Sequence, residues 1–154
     1  MLKNLILFFF ITAQFAFAQE KTIPQNQITA IKDAYNWTEE EYIIINYRFP
    51  KDYCSYENYG ELEKSYTWLT NKVYTKVNPE NHRNIFVYAD KLAAKKILDN
   101  KTHYDDIGFY FLKNFFDKKG NCYGVLIINK NGQYKYILGE YSYIDIQNIT
   151  DSLK

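Results

Sequence analysis

The run Tyr42-Ile-Ile-Ile-Asn-Tyr-Arg-Phe-Pro50 limits this chain more than any other stretch. Three consecutive β-branched residues between aromatic ones favour a strand, and a continuous apolar run leaves no polar face for solvent. Such a run suits a strand buried on both faces, as in a parallel sheet. Pro50 then ends any ladder, because it has no N–H to donate. After the short segment Lys51-Asp-Tyr-Cys54-Ser-Tyr-Glu57, residues Leu62, Tyr66, Leu69 and Val73 fall at helical spacing on one stripe, predicting a helix from Tyr56 to about Tyr74. Ser55 or Asp52 would cap it. Cys54 therefore sits between a buried strand and a helix N-terminus, where backbone N–H groups and the helix dipole favour a thiolate.

The first 18 residues read as an address rather than as part of the fold. Lys3 supplies a positive charge, residues 5–17 are almost wholly apolar, and Ala16-Phe-Ala18 is a small-x-small cleavage site. The apolar run is short for a bilayer span, which takes about 20 residues. The expectation is a cleaved signal peptide (1–18), export to a periplasm or the extracellular space, and no membrane span after cleavage. Removing 18 of 154 residues leaves 136, the size of one domain. Without Lys3 the chain carries 18 basic and 18 acidic side chains. That balance argues against a nucleic-acid partner that tracks phosphates.

The remaining segments alternate between the two periodicities. Ile28, Ile31 and Tyr35 predict a short helix after Pro24, in an N-terminal extension covering residues 19–40. Residues 76–84 read as a solvated loop with an exposed His82. Ile85 to Tyr88 is a second short strand, and Asp90 caps a helix over residues 91–98. Ile107, Phe111 and Phe115 predict a helix over 104–116, with the aromatic density leaving a strand as the alternative. In that reading His103-Tyr-Asp-Asp106 is its solvated start. Val125 to Ile128 and Gln133 to Ile137, joined through Asn131-Gly132, predict a hairpin, since both turn residues tolerate φ > 0. Ile144, Ile146, Ile149 and Leu153 close the chain as an amphipathic helix. Tyr134, Tyr136, Tyr141 and Tyr143 read as a sheet with one wet face or as an adhesive surface.

Candidate chemistry narrows to two cysteines. Cys54 and Cys122 are an even pair bound for an oxidising compartment, which makes a disulfide the first hypothesis. His82 and His103 have no metal-ligand spacing, so neither a metal nor a cofactor is expected. No phosphate-cradling glycine loop or serine nucleophile motif occurs.

In its order of elements the chain resembles the thioredoxin superfamily, in particular the exported thiol–disulfide oxidoreductase and redoxin-like branch. Tyr53-Cys54-Ser-Tyr-Glu57 resembles the family's aromatic-Cys-x-x-Cys turn. Gly124-Val-Leu-Ile-Ile-Asn-Lys-Asn-Gly132 resembles the hairpin that follows its cis-proline. The resemblance covers residues 41–154 and implies a three-layer α/β sandwich around a central mixed sheet. It implies that Cys122 faces Cys54, and that Tyr53, Tyr123 and Gly124 line the substrate-binding face. Partners would be protein thiols or disulfides, or another envelope protein.

Three departures stand beside it. Glu57 replaces the second cysteine, which excludes a disulfide within the turn, and its like charge raises a neighbouring thiol pKa. Gly124 stands at the cis-proline position. The acidic residue of the preceding strand falls on Arg48, or on Asn46 if two residues are inserted. Three readings of the cysteine pair follow: a structural bridge, a redox pair with Cys54 attacking and Cys122 resolving, or two passive thiols in a binding module. A peroxide-reducing redoxin fits less well, because the Thr-x-x-Cys arrangement is missing.

Overall fold

A computed structural model describes residues 21–52, 54, 59–77, 81–117 and 121–154. The expected signal peptide, Tyr53, Ser55 and Glu57 lie outside the described residues. Five strands form one mixed sheet in the order β3-β2-β1-β4-β5: β1 Tyr42–Arg48, β2 His82–Tyr88, β3 His103–Asp105, β4 Tyr123–Asn129 and β5 Tyr134–Leu138. β1 runs parallel to β2 and antiparallel to β4. β3 extends the parallel half, and β5 extends the antiparallel half. This is a thioredoxin-like α/β sandwich.

The pleat decides which helices cover which face. Ile43, Ile45 and Tyr47 of β1, with Leu126 and Ile128 of β4, belong to one core. That core also takes Ile28, Ile31 and Tyr35 from α1 (Gln25–Tyr35) and Phe111 from α4 (Tyr110–Asn114). The alternate residues Tyr42, Ile44, Val125 and Ile127 face a second core with Val73 and with Ile146 and Ile149. Val73 lies just past the end of α2 (Tyr59–Lys72), and the other two come from α5 (Tyr143–Ser152). Ile43, Ile44 and Ile45 are all fully buried, each contributing about 1.5–3 kcal/mol relative to exposure. β1 is the strand buried on both faces that its sequence implied, and the topology places it at the centre of the sheet.

Asp90 accepts a hydrogen bond from the Ala93 N–H (2.9 Å) and caps a single-turn helix, α3, Lys91–Ala94. That helix stops short of the predicted 98. The helix expected over 104–116 is the largest correction. Its first residues form edge strand β3, and a 3₁₀ turn over Ile107–Phe109 precedes α4. Two causes are visible. The Asp99 side chain accepts N–H bonds from Lys101, Thr102 and His103, all at 2.8 Å, which turns the chain into β3. Gly108 (φ 65°) and Phe109 (φ 57°) then leave the helical region, so no continuous helix can pass through them.

Asp106 is likewise no solvated helix start. It is buried and accepts bonds from the Tyr47 hydroxyl (2.8 Å) and from the N–H groups of Phe111 (3.0 Å) and Leu112 (2.9 Å). Burial pushes its carboxyl up from the usual range, although those donors pull the other way. His103 is buried too, with Nδ1 3.3 Å from Asp99 and its ring edge-on to Tyr66. His82 is half-buried and stacked on Tyr42 rather than exposed.

In the β4–β5 hairpin only Gly132 takes positive φ (85°), not Asn131 as well. A Cβ at Gly132 would meet the Ile23 carbonyl oxygen at 2.5 Å, where the incoming N-terminal segment bonds to the turn. The tyrosine series is not a wet stripe. Tyr134 packs edge-on against Phe115, Tyr136 against Phe116, and Tyr141 is buried on the opposite face. Ile144 is half exposed and does not share the buried stripe of α5.

Candidate functional site

The topology brings the two cysteines together. β1 and β4 are antiparallel neighbours, so the exit from β1 lies beside the entry to β4, with Arg48 opposite Tyr123. One residue farther out, the Phe49 N–H donates to the Cys122 carbonyl (3.2 Å). Beyond that bond, Cys54 and Cys122 form a disulfide across 68 positions, with Cα atoms 5.2 Å apart, inside the usual range. The bridge is a covalent extension of the β1–β4 ladder.

The two sulfurs have different surroundings. Cys54 is 3% exposed and belongs to the larger core. Its N–H turns back to the carbonyls of Pro50 and Lys51 (both 3.2 Å), and its sulfur lies 3.3 Å from the Asn121 carbonyl oxygen. Cys122 is half-buried. Accessibility therefore ranks Cys122 above Cys54.

Of the other expected site residues, Tyr123 follows Cys122 directly at the sheet end, and its hydroxyl donates to Glu140 (3.3 Å). Burial, with the Glu140 carboxylate beside it, keeps the Tyr123 phenol above its usual range, so it stays a donor. Gly124 is buried. A Cβ there would meet the Ile137 carbonyl oxygen at 2.6 Å and the Phe116 ring at 2.9 Å. Phe116 needs that space, because its ring stacks on Tyr47 with centroids 4.3 Å apart. Gly124 is a close-approach position between a strand and an aromatic stack. Among the described residues there is no cis peptide bond.

Of the two positions aligned with the acidic residue, Asn46 is the buried one. Its Nδ2 donates to Asn84 Oδ1 (2.7 Å) and to the Ile85 carbonyl (2.8 Å). Its Oδ1 accepts from the hydroxyls of Tyr74 (2.5 Å) and Tyr141 (2.6 Å). All four hydrogen-bonding capacities of the amide are used. Arg48 lies over the Tyr123 ring, 5.7 Å from its centroid.

One feature had no sequence signal beyond an ordinary helix position. A groove of about 530 Å³ opens between α2 and the N-terminal end of α5. Trp68, Leu69, Tyr123 and Tyr141 line it together with the acidic Glu140 and Asp145. Trp68 is 56% exposed. Among the described residues no group of three His, Cys, Asp or Glu side chains is placed to hold a metal ion, and no helix is long and apolar enough to cross a membrane. No protein-family model, no curated protein sequence and no solved structure matches the chain.

Proposed function

We propose that this chain is an exported, thioredoxin-like module of the cell envelope in which Cys54–Cys122 is a structural bridge rather than a turning-over redox pair. The burial of Cys54 carries this reading. A sulfur packed in the main core beside a carbonyl oxygen lacks the access that thiol–disulfide exchange requires. Membership of the thioredoxin superfamily rests on the order of elements and the placement of the cysteines, and export rests on the leader. Domain limits of 41–154, with residues 19–40 as an N-terminal extension, are part of the same proposal; α1 packs that extension onto the sheet.

The half-buried Cys122 supports a second reading. An external thiolate would reach Cys122 first, form a mixed disulfide there and release Cys54 as the leaving thiolate. Tyr123, next to Cys122 at the sheet end, would then border the partner, a protein thiol or disulfide. The insulin-reduction assay separates the two readings. The bridge reading expects the mature protein to leave the rate with dithiothreitol unchanged. An acceleration that Cys122→Ser abolishes would establish the exchange reading instead.

A further inference from the structure

The lining of the groove between α2 and α5 is chemically one-sided. Among its described lining residues the only charged side chains are Glu140 and Asp145. Both carboxylates are held in place: Glu140 by the Tyr123 hydroxyl (3.3 Å), Asp145 by the Ser142 N–H and hydroxyl (both 2.7 Å). Trp68, Tyr123 and Tyr141 contribute aromatic rings to the groove's lining. Aromatic faces attract cations through the ring quadrupole, and fixed carboxylates supply the counter-charge without an ordering cost at binding. Arg48 already lies over the Tyr123 ring from outside the groove, so this ring takes a cation within the fold itself. A volume of about 530 Å³ falls within the range of ligand-binding clefts.

We propose that this groove binds a cationic side chain, the lysine or arginine of an extended peptide segment. The alkyl stem would lie along Trp68 and Leu69, and the charged head would reach Glu140 and Asp145. A neutral glycan would also stack on Trp68 and donate hydroxyls to the carboxylates, but it would gain none of the charge attraction that a cation has for them. Charge complementarity therefore favours the basic peptide.

The protein carries its own reporter. Trp37 is 1% exposed and Trp68 56%, so a ligand in the groove changes the emission of Trp68 over a constant background. The probes are acetyl-Gly-Lys-Gly-Arg-Gly-amide, its counterpart with Glu and Asp in place of Lys and Arg, and chitotetraose, each titrated into oxidised mature protein. The basic peptide is expected to give a saturable change that weakens as salt is raised to about 0.5 M. Glu140→Gln, with its near-UV circular dichroism unchanged, should weaken binding about tenfold. Trp68→Ala, followed by calorimetry, should weaken it by at least as much. No saturable change, an equal response to the acidic peptide, insensitivity to both salt and Glu140→Gln, or binding of chitotetraose alone would overturn the proposal.

Discussion

Mature protein carrying Cys54→Ala and Cys122→Ala should unfold about 4 kcal/mol more readily than the oxidised wild type. The magnitude follows from the 68-position separation. Without the bridge, the unfolded chain regains the freedom to separate residues that the native ladder already holds together. The native state itself loses little, because β1 still pairs with β4 and the Phe49 N–H still meets the Cys122 carbonyl position. With a urea slope of roughly 2 kcal/mol per molar, the midpoint should fall by about 2 M. Wild type unfolded under reducing conditions should match the double variant to within about 1 kcal/mol, which separates the cross-link from the loss of a buried sulfur. A cost below about 1 kcal/mol would mean that the bridge does not clamp the fold.

Asn46→Ala should cost roughly 2–5 kcal/mol. The substitution removes more than the hydrogen bonds of one residue. It leaves the Asn84 amide oxygen without its Nδ2 donor and the hydroxyls of Tyr74 and Tyr141 without their common acceptor. Burial already holds both phenols above their usual range, so neither escapes the penalty by ionising. Tyr141→Phe deletes one of the stranded hydroxyls. In the Asn46→Ala background it should therefore cost less than in wild type, with a coupling of about 1 kcal/mol in a double-mutant cycle. Urea unfolding of the four proteins measures this. Strict additivity, or a cost below about 1 kcal/mol for Asn46→Ala, would show that the network is not cooperative.

Parts of the architecture that depend on local pattern were legible in the sequence. Three isoleucines in a row read as a strand buried on both faces, the Asp90 cap announced α3, and the glycine turn announced the β4–β5 hairpin. Residues 103–116 were not legible, because aromatic density masks period. Phe111 and Phe115 do lie on a helical stripe, but the strand before them is decided by pairing with Phe86–Tyr88, a contact no local window contains. The same limit applies to Asp106, whose burial depends on Tyr47 59 positions away.

At the site, the even pair of cysteines and the resemblance placed Cys122 against Cys54, but nothing in the sequence ordered their exposure. That order depends on the Asn121 carbonyl and on the core packed around Cys54. Gly124 looked like a lost proline and is instead room for Phe116. The groove was invisible because Trp68, Tyr123 and Glu140 come from three separate elements and share no motif.

The most direct test of the structural-bridge account is the reduction potential of the Cys54–Cys122 pair, measured by equilibrating mature protein in graded thiol–disulfide buffers and counting free thiols by mass spectrometry. A clamp that stabilises the native state should be reduced only below about −300 mV. A potential near about −200 mV, in the range of disulfide-exchanging proteins, would contradict it.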